Sequence, residues 1–215
     1  MLVKDRMSRH PITIRPDLSL HDALRVMHDE KVRRLPVIDK EGKLVGIVLE
    51  KDLLYASPSP ATSLSVYELN YLVSRITVES LMTREVVTVS EDCSLEEAAR
   101  TMADNNVGGL PVMRDGILVG MITESDLFKV FLELLGAREW GTRVTLRVPD
   151  ERGMLAKLTE AVAANGADIV ALGTFWGDDP TNREIVIKMQ GISRTEIEKI
   201  FGDLRTDIVD IRETK

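Results

Sequence analysis

The order of hydrophobic and polar residues in the first part of the chain occurs twice, the second time 75 positions further on. Identical residues recur at matching places, among them Met7 and Met82, Thr13 and Thr88, Asp17 and Asp92, Ser19 and Ser94, and Leu35-Pro36-Val37 and Leu110-Pro111-Val112. One residue is missing from the second copy at a turn, so the offset becomes 74 from Gly42 and Gly116 onward. Agreement over this length indicates a tandem duplication, which has to be recognised before a fold is assigned.

Each copy combines the spacing of strands with that of helices. A short alternating run, at 11–14 or 86–89, precedes Ser19 or Ser94, and serine is a favoured helix N-cap residue. The following helix has its apolar residues on one face, namely Leu20, Ala23, Leu24 and Met27 in the first copy and Leu95, Ala98, Ala99 and Met102 in the second. Two apolar runs separated by turn residues then predict a hairpin, at 35–38 with 44–49 and at 110–113 with 118–123.

A closing helix is predicted to start near Asp52 in the first copy and near Asp126 in the second, which completes β-α-β-β-α. A copy of about 50 residues makes only a marginal core by itself. We therefore expect the two copies to pack together as a pseudo-two-fold pair with a shared core.

The rest of the chain has a different pattern. Strands are predicted at 143–148, 169–176, 183–189 and 208–212, and helices at 153–165 and 194–204. This order, β-α-β-β-α-β, is the ferredoxin-like arrangement. Together with the two copies it predicts a mixed fold class, α+β with α/β character.

Changes in composition divide the chain into parts. We expect the first copy at 1–56, a linker with a connecting helix at 57–76, the second copy at 77–136 and the ferredoxin-like unit at 141–215. The linker starts with Ser57-Pro58-Ser59-Pro60, which is typical of a loop. Residues 64–76 have the apolar spacing of a helix.

Composition excludes several classes of protein. With 28 Lys plus Arg against 35 Asp plus Glu, the formal net charge is −7, which argues against a general nucleic-acid binder. Aromatic residues make up 4% of the chain, too few for a platform that stacks single-stranded bases. No apolar run approaches the ~20 residues that a membrane span needs. The start of the chain lacks the apolar segment of a secretory signal and Cys93 is the one cysteine, so we expect a cytoplasmic protein.

Two strings connect the chain to known families. Gly120-Met121-Ile122-Thr123-Glu124-Ser125-Asp126 matches the nucleotide-binding pattern of CBS domains, which is Gly, an apolar residue, any residue, Ser or Thr, two residues and Asp. The duplicated region thus resembles a pair of CBS domains, a Bateman module. The third unit resembles an ACT domain, a small amino-acid-sensing fold, through Val148-Pro149-Asp150-Glu151-Arg152-Gly153-Met154-Leu155 and Asn165-Gly166-Ala167-Asp168-Ile169. The order of the units is similar to bacterial acetoin-utilisation regulatory proteins.

The CBS resemblance implies a nucleotide site around the Thr123–Asp126 string. Asp126 is expected to hold the ribose hydroxyls, as an acidic residue does in dinucleotide folds, with Thr123 and Ser125 assisting. The candidates for facing the phosphates, where arginine donors are effective, are Arg33, Arg34 and His10. The other copy is expected to supply the adenine slot from Met7, Ser8, Ile12 and Val32.

The duplication implies a second site that uses Asp52. Its other expected residues are Lys51, Met82, Thr83, Val87, Val107 and Gly108. Leu49 stands where the first site has Thr123, which removes a hydroxyl contact worth about 0.5–1.5 kcal/mol. Gly108-Gly109 lacks the two arginines that Arg33-Arg34 supplies to the first site, so we expect the second site to be weaker, empty or differently selective.

Simpler interpretations of these residues remain open. Asp52 and Asp126 also fit plain helix caps, because aspartate is favoured there. Arg33-Arg34 also fits a solvated pair on the surface. Met7 and Met82 also fit gap-filling core positions.

The ACT resemblance implies a candidate amino-acid site. Asp150, Gly153 and Leu155 lie where a strand turns into a helix, and free N–H groups at a helix start can hold a carboxylate. Asp168 is the candidate partner for an amino group. The alternatives are that Pro149-Asp150 is only a turn with a cap and that the unit dimerises without a ligand.

Signals for catalysis are missing from the sequence. There is no Gly-x-x-x-x-Gly-Lys-Ser/Thr string and no Gly-x-Gly-x-x-Gly fingerprint. His21 and His28 are seven positions apart, too far for a close metal pair on one helix. We predict no catalytic residue, no metal site and no obligatory cofactor.

The sequence thus predicts a non-enzymatic regulatory sensor. Its ligand is an adenine nucleotide (AMP, ADP, ATP or a related adenosyl compound), and the signal passes to the ACT unit or to a regulated protein. A homodimer is the default expectation by symmetry, and neither nucleic acid nor membrane is an expected partner. The alternatives are a ligand-free scaffold for a metabolic enzyme or transporter and a regulator that responds to an amino acid through its ACT unit.

Overall fold

The computed structural model describes residues 1–57, 75–204 and 206–214, which form two compact units, Met1–Leu127 and Phe128–Lys215. Most of the predicted linker and its helix, up to residue 74, lies outside the described residues. None of the helices in the described ranges is long and apolar enough to cross a membrane.

The two sequence copies fold in the same way. In the first copy, a 3-10 turn at Val3–Asp5 precedes β1 (Ser8–Arg9), α1 (Leu20–Asp29), β2 (Arg34–Ile38), β3 (Leu44–Leu49) and α2 (Glu50–Ala56). The second copy has α3 (Val78–Leu81), β4 (Val89–Ser90), α4 (Leu95–Asp104), β5 (Gly109–Arg114), β6 (Ile117–Thr123) and α5 (Glu124–Leu134). The predicted caps are confirmed: Ser19 Oγ accepts from the Asp22 N–H and Ser94 Oγ from the Glu97 N–H, each at 3.1 Å.

The first predicted strand of each copy is shorter than expected. Of residues 11–14 only Ile14 pairs, in a single parallel bridge with Val37. Pro11 itself has no N–H to donate to a ladder. In the second copy, the strand is Val89–Ser90 rather than 86–89. Both closing helices begin two residues earlier than expected, at Glu50 and Glu124.

Each copy completes the hairpin of the other. β1, from the start of the chain, pairs antiparallel with β6 and gives a sheet in the order β1-β6-β5-β4. At the equivalent place, Thr83 exchanges two backbone hydrogen bonds of 2.9 and 3.0 Å with Ile47 of β3. The space beside each hairpin is therefore bounded by residues from both copies.

The second unit has the predicted ferredoxin-like order. Its elements are β7 (Gly141–Pro149), α6 (Met154–Ala164), β8 (Asp168–Trp176), β9 (Asn182–Gln190), α7 (Arg194–Gly202) and β10 (Asp207–Thr214). The strands form one antiparallel sheet in the order β10-β7-β9-β8. Alternate residues of β7 and β9 pack against both helices, with Leu146, Leu158, Ile187, Ile197 and Phe201 fully buried. The α+β fold class predicted from the sequence is confirmed.

Candidate functional site

Two cavities lie between the copies within the first unit. The Thr123 cavity has a volume of about 370 Å³ and is lined by Ser8, Arg9, His10, Pro11, Ile12, Lys31, Val32, Arg33, Arg34, Pro36, Met121, Thr123 and Ser125. The Lys51 cavity is larger, about 470 Å³, and is lined by Arg33, Arg34, Ile47, Leu49, Glu50, Lys51, Thr83, Glu85, Val86, Val87, Asn106, Val107, Gly108, Gly109 and Glu124. Both have the size of a small-molecule pocket.

The Thr123 cavity contains most of the residues predicted for the first site. The predicted residues that line it are Ser8, Ile12, Val32, Arg33, Arg34, Thr123 and Ser125, together with His10. Met7 does not line it, because its side chain is buried against β6 with Sδ 2.5 Å from the point where a Cβ on Gly120 would stand. Met7 therefore fills a gap in the core, as the simpler interpretation of this residue expected.

Asp126 is adjacent to this cavity and bonded to one of its walls. Its Oδ2 accepts from the Thr123 N–H at 3.1 Å and from Thr123 Oγ1 at 2.7 Å. As the third residue of α5 it accepts from the N–H of the residue before the helix, which is one of the two bonds of a capping box. The Asp126 carboxylate is thus bonded to Thr123 in this structure, and its binding of the ribose hydroxyls stays a prediction.

Sequence reasoning missed two cationic residues of the Thr123 cavity, Arg9 and Lys31. Backbone conformation places one of them: Lys31, just after α1, has a left-handed φ of 55°. His10 also has a positive φ, 53°, which turns the chain between β1 and Pro11. Such conformations are uncommon for residues other than glycine and cluster at functional sites.

The Lys51 cavity contains Lys51, Thr83, Val87, Val107 and Gly108 from the predicted second site, but not Asp52 or Met82. Met82 repeats the arrangement of Met7, with Sδ 2.5 Å from the Cβ position of Gly46. Arg33 and Arg34, which were expected at the first site, line this cavity as well.

Gly108 explains how Arg34 reaches the Lys51 cavity. The Arg34 guanidinium occupies the space where a side chain on Gly108 would be, and Glu124 Oε2 lies 2.7 Å from that Cβ position. Burial lowers the pKa of Arg34, while the nearby Glu124 carboxylate acts in the opposite direction. The glycine that was expected to remove positive charge from this site instead makes room for it.

A third cavity, the Arg183 cavity, lies in the second unit and measures about 300 Å³. Asp150, Gly153 and Leu155 line it as predicted, and Gly153 has a left-handed φ of 83°. Arg183, which sequence reasoning missed, is bonded to Asp150 Oδ2 at 3.1 Å. Its guanidinium carbon lies 3.6 Å from the centre of the Trp176 ring.

The structure separates Asp168 from this group. Asp168 starts β8 opposite Gln190, whereas Thr174, six residues along the same strand, lines the Arg183 cavity. An extended strand advances about 3.3 Å per residue, so Asp168 is too far away to share a small ligand with Asp150. Within the described residues there is also no group of three or more His, Cys, Asp or Glu side chains arranged to hold a metal ion.

Comparison with known families identifies both units. The CBS domain model matches residues 3–59 and 78–133. The chain belongs to the CBS-domain family. A TTHA0829-like ACT domain model matches residues 140–212, so tandem CBS domains are followed by an ACT-like domain.

Curated relatives agree with this assignment. A CBS domain-containing protein of Dictyostelium discoideum is 37% identical over 136 residues, which is 63% of this chain and 94% of that protein. An L-aspartate semialdehyde sulfurtransferase of Methanocaldococcus jannaschii is 32% identical over 60% of this chain. The chain spans only 23% of the length of that enzyme.

Solved structures of CBS pairs are similar in fold. A putative acetoin utilization protein (AcuB) of Vibrio cholerae has a TM-score of 0.53 and 33% identity, covering 65% of this chain and 96% of its own. The CBS domain pair of protein MJ0100, in complex with 5′-methylthioadenosine and S-adenosyl-L-methionine, has a TM-score of 0.51 and 32% identity over 61% and 95% of the two chains. CBSX2 in complex with AMP has a TM-score of 0.50 and 34% identity over 61% and 96%.

Proposed function

We propose that this protein is a regulatory sensor that binds an adenine nucleotide or a related adenosyl ligand between its two CBS copies. The observation that carries the proposal is the Thr123 cavity, where hydroxyl groups of one copy face basic side chains of the other. The adenosyl ligands in the CBS pairs of MJ0100 and CBSX2 support the choice of ligand class.

The lining residues suggest how a nucleotide would be held. Thr123 and Ser125 offer hydroxyls at the start of α5, where the helix dipole favours a negative group. Asp126 would accept from the ribose hydroxyls by exchanging its bond with Thr123 Oγ1 for bonds to the ligand. Ile12, Val32 and Met121 offer apolar surface for the adenine ring.

We propose that the nucleotide is a signal and is not consumed. The enzyme among the relatives described above is matched over a small part of its length, which fits a CBS pair that accompanies a separate catalytic part. A ligand that binds one arrangement of the copies more tightly shifts the population toward it by its differential affinity. The same fold with empty cavities would instead act as an assembly scaffold.

We further propose that the change passes along α5 to the ACT-like domain, and that the protein acts as a homodimer on a regulated partner. α5 begins directly after Thr123 and continues to Leu134. Its side chains Phe128, Phe131 and Leu134 are all at least half exposed, which supports an interaction surface on this helix.

An amino acid at the Arg183 cavity is a second candidate ligand. The facing charges of Arg183 and Asp150 suit a carboxylate and an amino group, and their mutual bond would open to admit them. Asp168, the residue first expected to hold the amino group, is not available there.

The nucleotide proposal is tested by titration calorimetry of the full chain with AMP, ADP and ATP. Asp126→Ala is expected to weaken binding at one site by about tenfold or more, because a charged hydrogen bond is worth about 1.5–3 kcal/mol. Asp52→Ala, at the equivalent place in the other copy, is the matched control and is expected to leave that site intact. Unchanged binding by Asp126→Ala would contradict the assigned role of this carboxylate. Absence of binding by any of the three nucleotides, and of adenine released from the denatured protein, would favour the scaffold.

A further inference from the structure

The two cavities of the CBS pair differ in charge at positions that the duplication makes equivalent. Two pairs of lining residues show the difference, with the Thr123 cavity first: His10 and Glu85, and Lys31 and Asn106. At each of these two pairs the Thr123 cavity has the more basic residue, whereas the pair Ser125 and Lys51 differs in the opposite sense. Because Lys31 and Asn106 both have left-handed backbone, with φ of 55° and 51°, they are presented in the same way and differ only in side chain.

The charge of the Thr123 cavity is only partly neutralised by its surroundings. Its lining includes Arg9, Lys31, Arg33 and Arg34 and no carboxylate, and among the described residues Arg34 is the one of these four cations placed beside an acidic side chain, Glu124. In the part of the chain that the structure describes, none of Arg9, Lys31 and Arg33 forms an ion pair with a carboxylate. Arg84, the counterpart of Arg9, is bonded instead to Glu79 at 3.1 Å and does not line the other cavity.

The Lys51 cavity has balanced charge. Its cationic lining residues, Lys51, Arg33 and Arg34, are matched by Glu50, Glu85 and Glu124. The Arg34 guanidinium lies beside Glu124 at Gly108, so part of the positive charge is already engaged. A ligand with several phosphates would meet carboxylates here as well as cations.

We propose that the Thr123 cavity selects an adenine nucleotide with a di- or triphosphate, and that the Lys51 cavity takes an adenosyl ligand with at most one phosphate. This inference rests on the proposed function and adds the ligand class of each cavity. Unpaired arginine and lysine groups favour phosphate oxygens strongly, and clefts lined by one sign of charge concentrate ligands of the opposite sign. The three carboxylates of the Lys51 cavity disfavour the same phosphates by like-charge repulsion.

The experiment exchanges side chains between equivalent positions in the full chain. Lys31→Asn places the residue of the Lys51 cavity in the Thr123 cavity, and the left-handed backbone there accepts asparagine readily. His10→Glu does the same at the second pair and serves as an independent variant. Glu85→His combined with Asn106→Lys makes the reverse change. Lys40→Asn, on the exposed turn between β2 and β3, is the control for loss of a surface cation.

Calorimetric titrations with ATP, AMP and 5′-methylthioadenosine supply the readout, and circular dichroism checks that each variant is folded. Lys31→Asn and His10→Glu are each expected to weaken ATP binding by about tenfold. The affinity for the uncharged 5′-methylthioadenosine is expected to change by less than about twofold. The double variant is expected to strengthen ATP binding at the Lys51 cavity by a similar factor, and Lys40→Asn to change nothing. Inorganic triphosphate, titrated in parallel, is expected to bind far more weakly than ATP, because it lacks the adenosine part.

The possible failures are distinguishable. If neither ATP, AMP nor 5′-methylthioadenosine binds the wild-type chain, the proposed function itself is wrong. If adenosyl ligands bind but both cavity exchanges leave the ratio of ATP to 5′-methylthioadenosine affinity unchanged, the charge assignment is overturned and the sensor proposal stands. Triphosphate binding as tight as ATP would also overturn it, since the cavity would then select phosphate without the nucleoside.

Discussion

At the scale of single residues, two glycines allow the copies to interlock. Gly46 and Gly120 lie in the middle of β3 and β6, where glycine normally weakens a strand. The sulfur atoms of Met82 and Met7 fill the space that a side chain there would occupy. In each case the methionine comes from the leading segment of the other copy. The segment can pack against the strand because glycine leaves room for the methionine side chain.

Gly120→Ala is therefore expected to destabilise the protein. The new Cβ would stand 2.5 Å from Met7 Sδ and 2.9 Å from the backbone oxygen of Ser8, and the backbone atom cannot move away easily. Overpacking of this kind costs about 1–3 kcal/mol, measurable as a lower midpoint in chemical or thermal unfolding. Gly202→Ala is the control, since nothing lies within 4 Å of that Cβ position and alanine is the better helix residue. Equal stability of Gly120→Ala and wild type would disprove the close packing.

At the scale of elements, the turn that follows α5 is held by one buried lysine. Lys188 on β9 is 3% exposed, and its Nζ donates to the Gly136 carbonyl at 2.7 Å and to the Glu139 carbonyl. These carbonyls belong to the turn after α5, where Gly136 has a left-handed φ of 56°. The lysine therefore fixes the turn itself, whereas backbone N–H groups of residues 135–137 satisfy the last carbonyls of α5.

Lys188→Met is expected to separate ligand binding from signal transfer. Loss of the ammonium removes its hydrogen bonds to the buried Gly136 carbonyl and to the more exposed Glu139 carbonyl, which lowers the free energy of unfolding by about 1–3 kcal/mol. AMP and ATP affinity is expected to stay within about twofold, because the lysine is remote in sequence from both nucleotide cavities and lines neither. Trp140 lies between this turn and β7, so a change relayed along α5 is expected to alter its fluorescence on nucleotide addition. In a Trp176→Phe background, Lys188→Met is expected to abolish that response.

Lys157→Met, on the exposed side of α6, is the control for removal of a lysine from the same unit. It is expected to keep both nucleotide affinity and the Trp140 response. A Trp140 response that survives in Lys188→Met would exclude this lysine from the relay.

At the scale of the whole molecule, bonded carboxylates in both units make stability depend on pH. A hydrogen bond from Arg114 lowers the pKa of Glu91, and bonds from Thr181, Ser193 and Arg212 lower the pKa of Asp179, Glu196 and Asp210 respectively. A carboxyl group with a lowered pKa in the folded state adds stability above its unfolded pKa, about 4. That stability is lost as the pH falls through the folded pKa.

The free energy of unfolding is expected to be nearly constant from about pH 7 to 5 and to fall below about pH 4. Glu91→Gln is expected to be less stable than wild type at neutral pH, with a difference that shrinks toward acid, because protonated glutamate and glutamine are alike in charge. Urea unfolding at several pH values measures both effects. Glu41→Gln, on the exposed turn between β2 and β3, should show no such trend. A Glu91→Gln difference that persists unchanged at pH 3 would contradict the assignment.

Local pattern was sufficient to predict the duplication, the hairpins and the ferredoxin-like unit. Ser19 and Ser94 cap their helices as expected because a cap depends on residues only three positions apart. Asp126 and Thr123 are likewise neighbours in sequence, and their pairing could be anticipated from the string they share. Apolar runs predicted β3 to the residue, and the other strands of the hairpins and of the ferredoxin-like unit to within two residues. The short strands β1 and β4 were not predicted at their observed places, since their pairing depends on distant segments.

Only the tertiary structure decided which residues share a cavity. Arg9 and Lys31 meet Thr123 across more than 90 positions because β1 crosses to pair with β6, a contact that local pattern does not encode. Arg34 enters the Lys51 cavity because Gly108, far away in sequence, has no side chain. Asp168 was grouped with Asp150 by resemblance, yet the direction of β8 carries it away. The sequence by itself determined the elements and the duplication, which depend on neighbouring residues, whereas the charge and membership of each site depend on how distant segments pack.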